Sequence, residues 1–127
     1  MPVVLRSVDV VLQNSTPELL TLEGFSLLRG VWGPPGPPRR GDVVEKQSSA
    51  KWQNQSIAEG VGAQGYLRLG STKGYVEISW NLPFFDAGSL QHAVITPPRL
   101  KARVDLNRET LDFVVMRVTL SPREESK

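Results

Sequence analysis

His92 is the only histidine in the chain, so a Ser-His-Asp relay would have to run through it. That chemistry needs a serine presented on a strained Gly-x-Ser-x-Gly elbow, and the sequence spells none. The carboxylates stand singly apart from Glu124-Glu125, which gives paired acid–base work no support. Metal-ligand spacing is missing, and the lack of cysteine removes thiolate sites and disulfides together. The run Ala58-Glu59-Gly60-Val61-Gly62-Ala63-Gln64-Gly65 has the glycines of a phosphate cradle, but neither the Lys-Ser/Thr nor the helix that completes one. It reads as a bend between two strands. His92, beside Gln91, reads as an exposed polar residue in a loop. The expectation is a non-enzymatic protein with no catalytic residues, no cofactor and no metal.

Four short spellings carry other chemistries. Pro34-Pro35-Gly36-Pro37-Pro38-Arg39-Arg40 fits a Pro-x-x-Pro-x-Arg ligand of aromatic-grooved modules. Arg40-Gly41-Asp42 is an adhesion tripeptide by letter, and Asn14-Ser15-Thr16 and Asn54-Gln55-Ser56 are glycan acceptors by letter. Without a secretory signal these read as loop composition.

What remains is apolar. Ile78-Ser79-Trp80-Asn81-Leu82-Pro83-Phe84-Phe85-Asp86 begins as a strand, is stopped by proline and then shows two adjacent phenylalanines. A strand exit is normally polar, because loop backbone needs water. Trp32 stands beside the proline-rich segment and Trp52 near the start of a strand. Aromatic side chains gather where an apolar medium meets water, at lipid headgroups and on sugar faces.

The elements that position these residues are strands. Residues 3–14 alternate, with Val4, Val8, Val10 and Leu12 on one face and Arg6 as the exception. Asn14 to Pro17 is a turn. A second strand runs from about Leu19 to Phe25, with Gly24 as a bulge candidate. From Gly30 to Gly41 four prolines deny a ladder its donors, and a polyproline-like connection without regular structure is expected. Strand character returns at 43–46, 50–57, 66–69, 75–81 and 101–106, and in a long closing strand over 111–120. In the 75–81 strand the two-residue period sets Val76, Ile78 and Trp80 on one face, so Trp80 points inward. In the 101–106 strand Ala102, Val104 and Leu106 share a side. Phe113-Val114-Val115-Met116 is apolar on both faces, which places it centrally in its sheet. No stretch offers a helical stripe free of Pro and Gly. The fold class is therefore all-β: a single-domain antiparallel β-sandwich of about eight or more short strands over 1–121, with a polar tail over 122–127.

With 39% hydrophobic and 22% charged residues the chain belongs with globular domains, and 127 residues suffice for one core. A net charge of +2 is too small to argue for nucleic acid, and none is expected as a partner. Arg6 and Asp9 interrupt the apolar start, so no signal peptide is read there, and no run approaches the ~20 apolar residues of a membrane span. A soluble protein is expected, cytoplasmic or exported by a non-classical route.

The order RSVDVVLQNST, ELLTLEGFSLLRG, GVWGPPGPP, KWQNQS, GVGAQGYLRL and WNLPF, over roughly residues 5–92, resembles the aegerolysin-like proteins. The resemblance implies a compact β-sandwich that recognises membrane lipids, often sphingolipids, and acts at a membrane surface as a toxin or pore-forming component. Many such proteins recruit a larger perforin-like partner that makes the pore, and an oligomer on the membrane is compatible with this. Actinoporins, which share the sandwich, are the nearest relatives in kind. By matching position, the lipid-binding residues implied are Trp80, Pro83, Phe84 and Phe85, with Trp32 as a neighbour and Asp86 among the polar residues that would read a headgroup. A lectin-like module that stacks sugars on aromatics, or a protein-interaction sandwich docking through Phe84-Phe85, is the alternative.

Overall fold

Alternation in the sequence becomes two layers of sheet, each hiding one face. The computed structural model describes residues 3–108 and 110–123. Among these, ten strands form in chain order: β1 (Arg6–Asn14), β2 (Leu20–Arg29), β3 (Val31–Trp32), β4 (Val43–Val44), β5 (Ser48–Ser56), β6 (Ala63–Ser71), β7 (Gly74–Leu82), β8 (Gln91–Ile95), β9 (Leu100–Arg108) and β10 (Phe113–Pro122). A single 3₁₀ turn, Ala87–Ser89, precedes β8. One sheet has the order β3-β5-β1-β10-β9, and the other has β4-β2-β6-β7-β8. The expected polar tail lies, from residue 124 onward, outside the described residues.

The inward faces follow the two-residue period. Val8, Val10 and Leu12 of β1 and Val114, Met116, Val118 and Leu120 of β10 meet Leu67 and Leu69 of β6 and Val76, Ile78, Trp80 and Leu82 of β7 in one buried cluster. Burying side chains of this kind is the main term holding two sheets face to face. Pairing is antiparallel except between β1 and β10, which run parallel with Val8 opposite Val114. The last strand thereby completes the free edge of the first, and β10 is central, as its apolar run requires. The ladder between β2 and β6 slips between Leu22 and Gly24, so the bulge expected at Gly24 is present.

Several boundaries differ from the expectation. The segment after Gly30 is not wholly irregular, because Val31 and Trp32 pair with Gln55 and Asn54. Gly30 has φ +88°, which turns β2 directly into β3, and the prolines begin only at Pro34, so both residues keep their N–H donors. His92 lies in a strand and not in a loop, opposite Trp80 in β8. An edge strand tolerates exposed polar side chains, and this made Gln91-His92 look like a connection. β2 continues to Arg29, and β6 spans Ala63–Ser71. Leu106 is 41% exposed, unlike Ala102 and Val104, which pack against the core.

The two glycan-acceptor spellings are buried hydrogen-bond centres and not loop composition. Asn14 Nδ2 donates to the carbonyls of Glu18 (2.8 Å), Glu45 (3.2 Å) and Val44 (3.3 Å), while its Oδ1 accepts from the Thr16 hydroxyl at 2.6 Å. Asn54 Nδ2 donates to the Arg29 carbonyl at 3.1 Å, and its Oδ1 accepts from Trp80 Nε1 at 2.9 Å. Each amide satisfies backbone that leaves a ladder where no strand partner exists, as a buried polar group must.

Candidate functional site

Strand direction decides which loops meet. β1, β6, β8 and β10 begin at one end of the sandwich, and β2, β5, β7 and β9 finish there. That end therefore collects residues 3–5, the bend 57–62, the loop 83–90 and the turn into β10. Of the exposed apolar side chains, Val3, Val61, Phe85 and Leu111 belong to these segments and Phe113 opens β10 beside them, while others such as Leu28, Val43 and Ile95 lie on strands. Phe85 is the extreme case, 85% exposed.

The loop 83–90 is held from the opposite sheet. Arg6, the residue that broke the alternation of β1, donates from Nη2 to the Phe84 carbonyl at 2.9 Å and from Nη1 to the Leu5 carbonyl at 2.9 Å. Its guanidinium lies 4.4 Å from the centroid of the Phe84 ring and pairs with Asp112 at 3.1 Å. One planar cation thus fixes backbone, ring and a neighbouring loop at once, which is a geometry lysine cannot reproduce. At the other end of the loop Arg108 Nη2 donates to the carbonyls of Ala87 (2.6 Å) and Leu111 (2.8 Å). Gly62 lies so close to the strand exit that a Cβ there would sit 3.1 Å from the Phe84 nitrogen and closer still to the Leu82 carbonyl. The bend 57–62 therefore packs directly on the exit of β7, and Gly60 comes within 3.8 Å of Phe85 by the same measure.

Phe84 and Phe85 have divided roles. Their rings meet edge to face, 5.1 Å apart and inclined at 82°. Phe84 is half-buried under Arg6, and Phe85 stands on it facing solvent. Pro83 is half-buried and Asp86 exposed, so the structure brings Pro83, Phe84, Phe85 and Asp86 together. It does not bring the two tryptophans to them. Trp80 is 2% exposed and its indole N–H is spent on Asn54, so its side chain belongs to the core. Trp32 packs edge-on against Phe25, 6.2 Å away, on β3, the edge strand of the sheet opposite to that of the loop. Sequence reasoning missed Arg108, Val61 and Leu111. For Arg6 the signal was present, since a cation on the apolar face of a strand needs a partner.

Among the described residues no group of three or more His, Cys, Asp or Glu side chains is placed to hold a metal ion. No helix among them is long and apolar enough to cross a membrane.

No protein-family model matches the chain, and no curated protein matches its sequence. Among solved structures, the crystal structure of the lipid binding protein Nakanori superposes with a TM-score of 0.72. The match covers 91% of this chain and 71% of that one, at 15% identity. The likeness is one of fold. It places the ten strands in a known sandwich architecture.

Proposed function

We propose that the chain is a non-enzymatic membrane-lipid-binding protein that docks by the loop end carrying Phe85. The observation that supports this best is a bulky apolar side chain held 85% exposed on a loop that two arginines anchor. Exposure of this kind costs solubility and gains nothing for the fold, so it fits a surface that meets something apolar. Val61, next to the Gly60 that approaches Phe85, and Leu111, whose carbonyl shares Arg108 with that of Ala87, are exposed at the same end, with Pro83, Phe84 and Asp86 flanking Phe85. Burial of Phe85 in the acyl boundary is worth roughly 1.5–3 kcal/mol, and each smaller neighbour adds to it. The lipid-binding description of the Nakanori structure supports the reading by likeness of fold. The finer parts are a sphingolipid headgroup, assembly on the membrane and a perforin-like partner that opens the pore. They rest on the sequence resemblance, as does a toxin-like role. Co-sedimentation with vesicles of different lipid classes tests the reading: the protein pellets with a subset of them, and failure to pellet with any mixture, sphingolipids included, overturns it.

A further inference from the structure

β7 and β8, the strands that the Phe85 loop joins, also form the floor of a groove on the outer face of their sheet. It has a volume of about 510 Å³. Its polar lining includes Gln64, Tyr66, Glu77, Ser79, Asn81 and Gln91. The register explains the arrangement. Gln64, Asn81 and Gln91 are cross-strand neighbours, a row of three carboxamides over β6, β7 and β8, with Tyr66 and Ser79 paired in the row below. The row lies at the end of the strands from which the loop 83–90 departs. No lysine or arginine lines the groove.

These groups select a class of ligand. An anion such as phosphate needs positive charge or a bank of N–H donors. Carboxamides, a hydroxyl, a phenol and a carboxylate instead offer donors and acceptors in mixture, which suits a molecule whose every group both donates and accepts. One acceptor is also unused: Asn81 Oδ1 is buried with no hydrogen-bond donor reaching it, although Asn81 lies between Gln64 and Gln91. A buried acceptor without a donor is rare in folded proteins, and a turn of the Asn81 amide toward the groove would let a ligand hydroxyl donate to it. The Tyr66 ring adds an apolar face for the C–H side of a pyranose.

We infer that this groove binds a neutral hexose, with Asn81, Gln64 and Gln91 reading its hydroxyls, Glu77 accepting from them and Tyr66 packing on the ring. A hexose can come from a soluble glycan or from the headgroup of a glycosylated lipid. The second source rests on the membrane reading above, since Phe85 would enter the bilayer beside the headgroup.

Titration of the ¹⁵N-labelled full chain with methyl hexosides and neutral oligosaccharides, with inorganic phosphate and phosphocholine as contrasts, reads the groove directly. The side-chain amide signals of Asn81, Gln64 and Gln91 shift with a sugar and not with phosphate or phosphocholine. Gln91→Ala, at an exposed position, weakens the response by about tenfold, the loss of one well-formed hydrogen bond. In parallel, vesicles of phosphatidylcholine with and without a monohexosylceramide are compared for wild type, Gln91→Ala and Phe85→Ala. Sugar shifts lost in Gln91→Ala support a soluble glycan. Enhancement by the hexosylceramide that Gln91→Ala removes supports the lipid source, even where free sugar is too weak to register. Sugar shifts that persist in Phe85→Ala while vesicle binding is unaffected by that change keep the groove and overturn the membrane reading. The inference is overturned if neither free sugar nor hexosylceramide has an effect, if Gln91→Ala leaves the effects intact, or if phosphate or phosphocholine moves the groove signals instead.

Discussion

The guanidinium of Arg6 in β1 donates to the Phe84 carbonyl at 2.9 Å and lies 4.4 Å from the centroid of that residue's ring, joining the first strand of one sheet to the exit loop of the other. The contact spans 78 positions of sequence. It converts a proline-terminated strand exit, which would otherwise sample many conformations, into a pedestal for Phe85.

Replacing Arg6 by methionine keeps much of its apolar stem and removes the fork. The Phe84 carbonyl then loses its donor and Asp112 its partner, a cost of about 1–3 kcal/mol to global stability. Chemical denaturation measures that loss. Hydrogen exchange at the amides of residues 84–90 should speed up by more than global destabilisation explains, and Arg6→Lys should restore only part of the protection.

Trp80 makes the opposite prediction from its aromatic neighbours. Trp80→Phe removes the indole donor and leaves Asn54 Oδ1 buried and unpaired, so stability falls by about 1–3 kcal/mol. Vesicle binding by the folded protein stays unchanged, because the ring was never at the surface. A loss of binding in a protein of intact fold would return Trp80 to the interface.

Asn14 and Asn54 carry acceptor spellings for N-glycosylation, yet both side chains are committed inside the fold. Expression through a eukaryotic secretory route should give folded protein of unmodified mass, and any glycosylated fraction should fail to fold. Asn14→Ala should cost at least 2 kcal/mol or so, since several carbonyls and the Thr16 hydroxyl lose their partner together.

Much of the sandwich is legible in the sequence because strand alternation is a local signal. Val76, Ile78 and Trp80 declare their common face by spacing alone, and the structure buries all three. Long-range relations leave no such mark. Nothing in the letters of β1 or β10 says that the two run parallel, and a polar edge strand such as Gln91-His92 reads like a loop. The candidate site divides in the same way. Phe84-Phe85 after a proline is visible at once, but the residues that hold it, Arg6 and Arg108, are placed by the meeting of two sheets. The tryptophans were the attractive residues by type, yet geometry sends one to the core and the other to Phe25. The carboxamide row of the groove is legible only once register is known, since Gln64, Asn81 and Gln91 are unremarkable singly.

The central claim rests on Phe85, which is exposed and makes no contribution to the core that a denaturation experiment could detect. Co-sedimentation of wild type and Phe85→Ala with vesicles of the preferred lipid mixture, read beside their denaturation midpoints, tests it most directly. The account predicts equal stability within about 0.5 kcal/mol and a roughly 10- to 100-fold weaker partition for Phe85→Ala, with Phe85→Trp binding as well as wild type. Undiminished vesicle binding by Phe85→Ala would contradict it.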